Sequence, residues 1–219
     1  MQPDVNEALR YLGAGGDPPD QLRLQVELAA QQLSRQLQPR YIWRVFPLKS
    51  EGGGIFLQES GILLTGNTAR TMLSDCDRAV LLCCTLGAQF DTLLRREQVR
   101  DMAHAVILDA CGSALVEAGC DTAQQELSQR FPGVYLTDRF SPGYGDLPLT
   151  LQPALCTALD TDRRLGVQVT SSMLLNPGKS VTAVIGLSPR PQRARIRGCA
   201  WCSMKETCAL RKGGAHCGL

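Results

Sequence analysis

The chain has 219 residues, 44% hydrophobic and 20% charged, enough apolar material for one large core or two small ones without disulfide staples. No basic leader followed by an apolar stretch opens it. No run approaches the roughly 18 uninterrupted apolar residues that a membrane helix needs, so the expected location is the cytoplasm.

The formal net charge is only +2, and it is unevenly placed. Arg190, Arg193, Arg195, Arg197, Lys205, Arg211 and Lys212 face Glu206 alone in the last thirty residues, leaving a mildly acidic body. A basic tail of this kind serves as a solubilising linker, a docking patch for an acidic protein or a phosphate-binding strip.

In chain order, Pro18-Pro19 open a helix whose apolar residues recur at Leu22, Val26, Ala29, Leu33 and Leu37, the spacing of one buried face. Residues 41–48 read as a strand, Gly52-Gly53-Gly54 as a turn, and Ile55-Phe56-Leu57 and Ile62-Leu63-Leu64 as further strands of a small antiparallel sheet. Thr65-Gly66-Asn67 offers caps for a short helix ending near Leu73. The continuous apolar run 79–84 fits a strand buried on both faces.

Residues 90–129 read as two helices broken near residues 99–101, the second turning Met102, Val106, Ala110, Ala114 and residues 116–118 inward. Phe131-Pro132-Gly133 stops it, because proline cannot continue a helix and glycine accepts the left-handed cap. A loop, a helix over about 151–165 and a closing strand over 181–186 complete the body. This order is not a regular βαβ alternation. It predicts an α+β fold: a single domain with a mixed or antiparallel sheet, long helices and a short Cys-rich tail. The expected division is 1–39 as an N-terminal helical segment, 40–189 as the ligand-binding domain and 190–219 as the tail.

Two features carry chemistry. Of ten cysteines, Cys199, Cys202, Cys208 and Cys217 form C-x2-C-x5-C-x8-C in the tail. In a reducing compartment clustered thiols are metal ligands more often than disulfides, and a C-x2-C hook brings two sulfurs to one centre. The spacing matches neither a zinc ribbon nor the common ferredoxin patterns. An iron–sulfur cluster of the [4Fe-4S] kind, zinc, or free or disulfide-forming thiols all stay open. The other six cysteines, Cys76, Cys83, Cys84, Cys111, Cys120 and Cys156, sit in apolar contexts and read as small buried hydrophobes.

The second feature is the loop Arg139-Phe140-Ser141-Pro142-Gly143-Tyr144-Gly145-Asp146. An arginine fork suits a carboxylate bidentately, and glycine lets the backbone approach a ligand closely. By itself such a loop is also consistent with an ordinary turn.

The motif Arg-x-x-Pro-Gly-Tyr at 139–144 resembles the S-adenosylmethionine-binding signature of the activation domain of cobalamin-dependent methionine synthase. The segments 66–70, 75–82, 85–87, 139–149 and 177–186 are together similar to the short, stand-alone members of that family. The resemblance implies a reactivation role, in which an electron and the methyl group of S-adenosylmethionine restore methylcobalamin from inert cob(II)alamin. It implies that Arg139 pairs with the methionyl carboxylate and that the backbone around Ser141, Pro142 and Gly143 holds the adenine end. Tyr144 would line the methyl-donor pocket and Glu117 would meet the ligand's amino group. A carboxylate there suits an ammonium, as it also suits an exposed helix surface.

No cobalamin-binding, folate or homocysteine module is present, so the resemblance implies an accessory subunit acting in trans on a cobalamin-binding methionine synthase or another corrinoid protein. The tail is foreign to the domain as it occurs in the long synthase, and a family acidic residue near the domain's start has no clear counterpart. A tail cluster would receive electrons from a flavodoxin- or ferredoxin-type donor. The competing reading is a binding module whose tail is a zinc knuckle contacting nucleic acid or an acidic protein.

Overall fold

A computed structural model describes residues 1–14, 17–192 and 206. Its centre is a six-stranded sheet built from β1 (Arg40–Glu51), β2 (Gly54–Leu57), β3 (Ile62–Leu64), β4 (Arg78–Thr85), β5 (Tyr135–Leu136) and β8 (Ser180–Ser188), in the order β3-β2-β1-β4-β8-β5. Every neighbouring pair is antiparallel. β6 (Gln168–Val169) and β7 (Leu175–Asn176) form a separate two-stranded ribbon.

The strands expected to make a small sheet of their own are one arm of this larger one. β1 pairs with β4 over its first part, then with β2 over Leu48 to Glu51, and Pro47 sits where it changes partner. Proline has no N–H to give a ladder, so that junction tolerates it.

Both faces of the sheet are covered. On one, α1 (Val5–Tyr11), α2 (Asp20–Gln36), α4 (Ala88–Arg100) and α5 (Met102–Arg130) pack with Val80, Leu82, Cys84, Ile185 and Leu187. On the other, α3 (Asn67–Leu73), α6 (Gln152–Leu159) and α7 (Thr161–Leu165) enclose Phe46, Leu81, Cys83, Phe140 and Val184. Successive residues of a strand point to opposite faces, so β4 must be apolar throughout residues 79–84. Ala8, Leu9, Val26 and Leu33 of the N-terminal helices lie in the same buried cluster as α5.

The break between α4 and α5 has a local cause. Asp101 is extended (φ −153, ψ 100), and its carboxylate accepts from the His104 amide at 3.0 Å, an N-cap that starts α5 as α4 stops. α5 is long and apolar enough to cross a membrane by length and composition, but 61% of its most apolar window is buried inside the fold. A helix apolar all round belongs in a core. Contrary to the inward assignment, Met102 and Val106 are 60% and 52% exposed, because the face that the first turns of α5 bury is the one carrying Ala105, Ile107 and Leu108. Ala110, Ala114 and Val116 are buried as expected.

Where one helix was expected over 151–165 there are two. Asp160, at φ 54, takes the left-handed conformation that ends α6, and α7 restarts at once. α5 comes unusually close to its neighbours at Gly119, where a Cβ would stand 2.6 Å from the Pro39 Cβ and 2.7 Å from the Cys84 sulfur. That approach fixes the height of the next α5 turns above the sheet.

Candidate functional site

β5 is short, but its ladder continues. The Thr137 amide donates to the Gly186 carbonyl at 3.0 Å, the Gly186 amide donates to the Thr137 hydroxyl at 2.8 Å, and Phe140 and Val184 exchange amide-to-carbonyl bonds of 3.1 and 2.8 Å. Phe140, 1% exposed, plugs into the core under the sheet. Alternation then turns Arg139 the other way, onto α5.

There the guanidinium meets three side chains of one helix face. Its Nη2 donates to Glu117 Oε2 at 2.5 Å, its Nη1 donates to Asp121 Oδ1 at 2.6 Å, and Nη1 also donates to Gln124 Oε1. The four-residue step from 117 to 121 stacks both carboxylates on one side of the helix. The arginine is the inner member: its side chain is 10% exposed, against 35% for Glu117 and 67% for Asp121. Burial works against the arginine's charge, but the Glu117 carboxylate more than offsets it and the guanidinium is held firmly protonated.

The loop after Arg139 is fastened at three points. Phe140 and Leu147 are buried, the Gly143 amide donates to the Leu147 carbonyl at 2.9 Å, and the Tyr144 amide donates to the Ser141 carbonyl at 3.0 Å. Gly143, at φ +87, supplies a conformation that other residues resist. Asp146 then caps α3 from a distance, its carboxylate accepting from the amides of Asn67 at 2.5 Å and Thr68 at 2.9 Å. These bonds, led by that from the Thr68 side chain, hold the Asp146 carboxyl down to about 2. The α3 cap expected from residues 65–67 thus comes from Asp146, and no side chain of the Gly66 cap position contributes.

Arg139 and Glu117 are therefore in direct contact. Pro142 is buried, Ser141 is half-buried, and Gly143 and Tyr144 are exposed on the same loop. The amides of Gly143 and Tyr144 are engaged within the loop, and the Tyr144 carbonyl accepts from the Leu147 amide at 3.0 Å, so the backbone at those two residues offers a ligand the Gly143 carbonyl oxygen rather than N–H donors.

Two further groups adjoin this site. Lys179, just before β8, donates to Asp109 Oδ2 at 2.9 Å and Ser113 Oγ at 2.8 Å, so α5 carries a polar ridge at 109, 113, 117 and 121. Tyr11, at the end of α1, has its phenol pushed up by burial and then by the carboxylates of Glu7 and Glu117, which brings the N-terminal helix to the site. Tyr11, Met102, Val106, Asp109 and Ser113 help line a groove of about 390 Å³ between α1, α4 and α5.

Sequence reasoning missed Asp121, Gln124 and Tyr11. The spacing of Glu117 and Asp121 was a visible signal once α5 was assigned. Nothing local marks Tyr11, which arrives through tertiary packing.

The cysteines divide. Among the described residues, Cys83, Cys84, Cys111, Cys120 and Cys156 are buried and Cys76 is half-buried, all as free thiols. Burial and then Asp75 and Asp77 push Cys76 up to about 12, and burial pushes Cys111 up to about 11. A hydrogen bond with Cys84 and burial push Cys120 up as well. Enclosed by apolar neighbours, these thiols act as packing groups. Among the described residues no group of three or more His, Cys, Asp or Glu side chains is placed to hold a metal ion. Cys199, Cys202, Cys208 and Cys217 lie outside the described residues.

No family model matches the chain, and no curated protein matches it in sequence. A solved structure does match: the crystal structure of the MetH reactivation domain bound to AdoHcy, at TM-score 0.67 and 15% identity, covering 97% of this chain and 82% of that one. At that identity the likeness establishes the fold: an α+β reactivation-domain architecture over nearly the whole chain.

Proposed function

We propose that this chain binds S-adenosylmethionine at the Arg139 loop and acts in trans as a cytoplasmic reactivation subunit for a cobalamin-loaded methionine synthase or another corrinoid protein. The observation that carries the reading is the contact between Arg139 and Glu117 beside the Arg-x-x-Pro-Gly-Tyr loop. An α-amino acid presents a carboxylate and an ammonium on the same carbon. A guanidinium and a carboxylate in contact are the complementary pair. The fold adds to this, since the matching solved structure is titled as a reactivation domain with AdoHcy bound.

In this reading Arg139 takes the methionyl carboxylate and Glu117 the ammonium. The loop from Ser141 to Gly143 carries the nucleoside, with carbonyl oxygens suited to an exocyclic amine, and Tyr144 flanks the reacting end. The transferable methyl belongs to the ligand and the cobalt chemistry to the partner, so this chain contributes positioning. Loop attachment at Phe140, Leu147 and Asp146 serves that role, because a site fixed on packed elements loses little entropy on binding.

For the tail we propose a four-thiolate metal site, iron–sulfur or zinc, with the iron–sulfur form relaying an electron. Iron, sulfide and zinc analysis of anaerobically prepared protein tests it, and absence of all three removes it. The zinc-knuckle reading, with nucleic acid or an acidic protein as target, finds no support in the fold.

The binding claim is tested by calorimetric titration of S-adenosylhomocysteine into the full chain. Saturable one-to-one binding is expected, and its absence at millimolar ligand overturns the reading.

A further inference from the structure

Arg139 already holds a carboxylate where an incoming ligand would place its own. Glu117 grips the Nη2 edge from a position 35% exposed, while Asp121 takes the Nη1 edge through a single oxygen at 2.6 Å from a position 67% exposed. Gln124 leans on the same Nη1 without charge. The two edges thus differ: one is held from inside, the other from the solvent side by a carboxylate that regains water at little cost when it leaves.

We propose that Asp121 is a specificity-determining residue, an internal carboxylate that occupies the outer edge of Arg139 and has to be exchanged for the α-carboxylate of an amino-acid-bearing ligand. This rests on the reading of the site as one for S-adenosyl ligands. A ligand with a carboxylate replaces the bond it breaks. One without a carboxylate leaves Asp121 in place and gains nothing from the guanidinium. Arg139 thus makes the site discriminate on the amino-acid arm and Asp121 sets how far, narrowing the preference because two carboxylates compete for one cation and only a ligand with a carboxylate bears the cost of the exchange.

The test is calorimetry on wild type and Asp121→Asn with two probes, S-adenosylhomocysteine and 5′-methylthioadenosine, the latter lacking the amino-acid arm. Because Asp121 is largely exposed, the variant is expected to fold, and circular dichroism checks this. Removing the competing charge is expected to tighten S-adenosylhomocysteine about threefold to fivefold, the scale of an exposed ion pair, and to leave methylthioadenosine unchanged. Unchanged or weaker S-adenosylhomocysteine binding, or equal tightening of both probes, overturns the proposal.

Phenylglyoxal labelling of Arg139, mapped by peptide mass in the ligand-free proteins, provides a readout that needs no ligand. Faster labelling in Asp121→Asn is expected, and an unchanged rate overturns Asp121's hold on the guanidinium. If neither protein binds either probe while labelling accelerates, the S-adenosyl reading has failed and the exchange role falls with it, a result distinct from binding that ignores Asp121.

Discussion

The ridge of α5 carries two cation clasps, and they are not equivalent. Lys179 meets one carboxylate, Asp109, and one hydroxyl, Ser113, so its charge is matched within the fold. Arg139 meets two carboxylates, Glu117 and Asp121, and an amide, which leaves one negative charge over. A matched pair is a structural fastening that needs nothing more. An overmatched arginine next to an exposed glycine–tyrosine loop can give up its outer carboxylate to a ligand's own, while Glu117 stays to meet that ligand's ammonium.

The largest expected effect breaks the second clasp. Arg139→Ala is expected to weaken S-adenosylhomocysteine binding by about 2 to 3 kcal/mol, the scale for losing a charge-assisted bidentate partner, read by calorimetry. Gly119→Ala disturbs both clasps together, since the added methyl has to push α5 away from Pro39 and Cys84. About 2 kcal/mol of destabilisation is expected from such overpacking, measured by denaturant unfolding.

Lys179→Ala removes only the matched clasp. A loss of about 1 kcal/mol in stability is expected from a partly exposed pair, with ligand affinity unchanged. A loss of affinity there as large as that of Arg139→Ala would erase the distinction between the two sites.

The smallest effect concerns pH and the loop. The Asp146 carboxyl is held down to about 2 by its bonds to Thr68 and Asn67, so its folded value lies below the unfolded one. Its contribution to stability is therefore present above the ordinary aspartate value of about 4 and is lost as pH falls toward 2. Asp146→Asn is expected to lower stability by a pH-independent amount above pH 5, where the carboxylate's contribution is fully present, and to flatten the acid limb of the curve between about pH 4 and 2. A wild-type acid limb that the substitution does not alter would show that the α3 cap is energetically idle.

Much of the fold was legible because local signals agreed with the packing. The doubly apolar β4, the break at Asp101 and the stop at Phe131-Pro132-Gly133 depend on residues within one turn of where they act. The sheet was misdivided because β1 serves two partners in sequence, and strand length alone does not reveal that. The α3 cap was misplaced because its carboxylate arrives from 78 residues away. Met102 and Val106 keep helical spacing, but in an apolar helix more than one face satisfies that spacing, and the packing buries the one carrying Ala105, Ile107 and Leu108.

At the site, Arg139 and Glu117 were named through resemblance, and their contact depends on Phe140 locking the strand edge while Gly119 sets α5 close to the sheet. Asp121 and Gln124 are legible only once those two placements are known.

The most direct test of the central claim is a crystal structure of the full chain with S-adenosylhomocysteine. The account predicts the ligand carboxylate on Arg139, its ammonium on Glu117, the nucleoside along residues 141–144, and the Lys179 clasp to Asp109 and Ser113 unchanged. A ligand seated in the groove beside Met102 and Val106, with Arg139 still bound to both carboxylates, would contradict it.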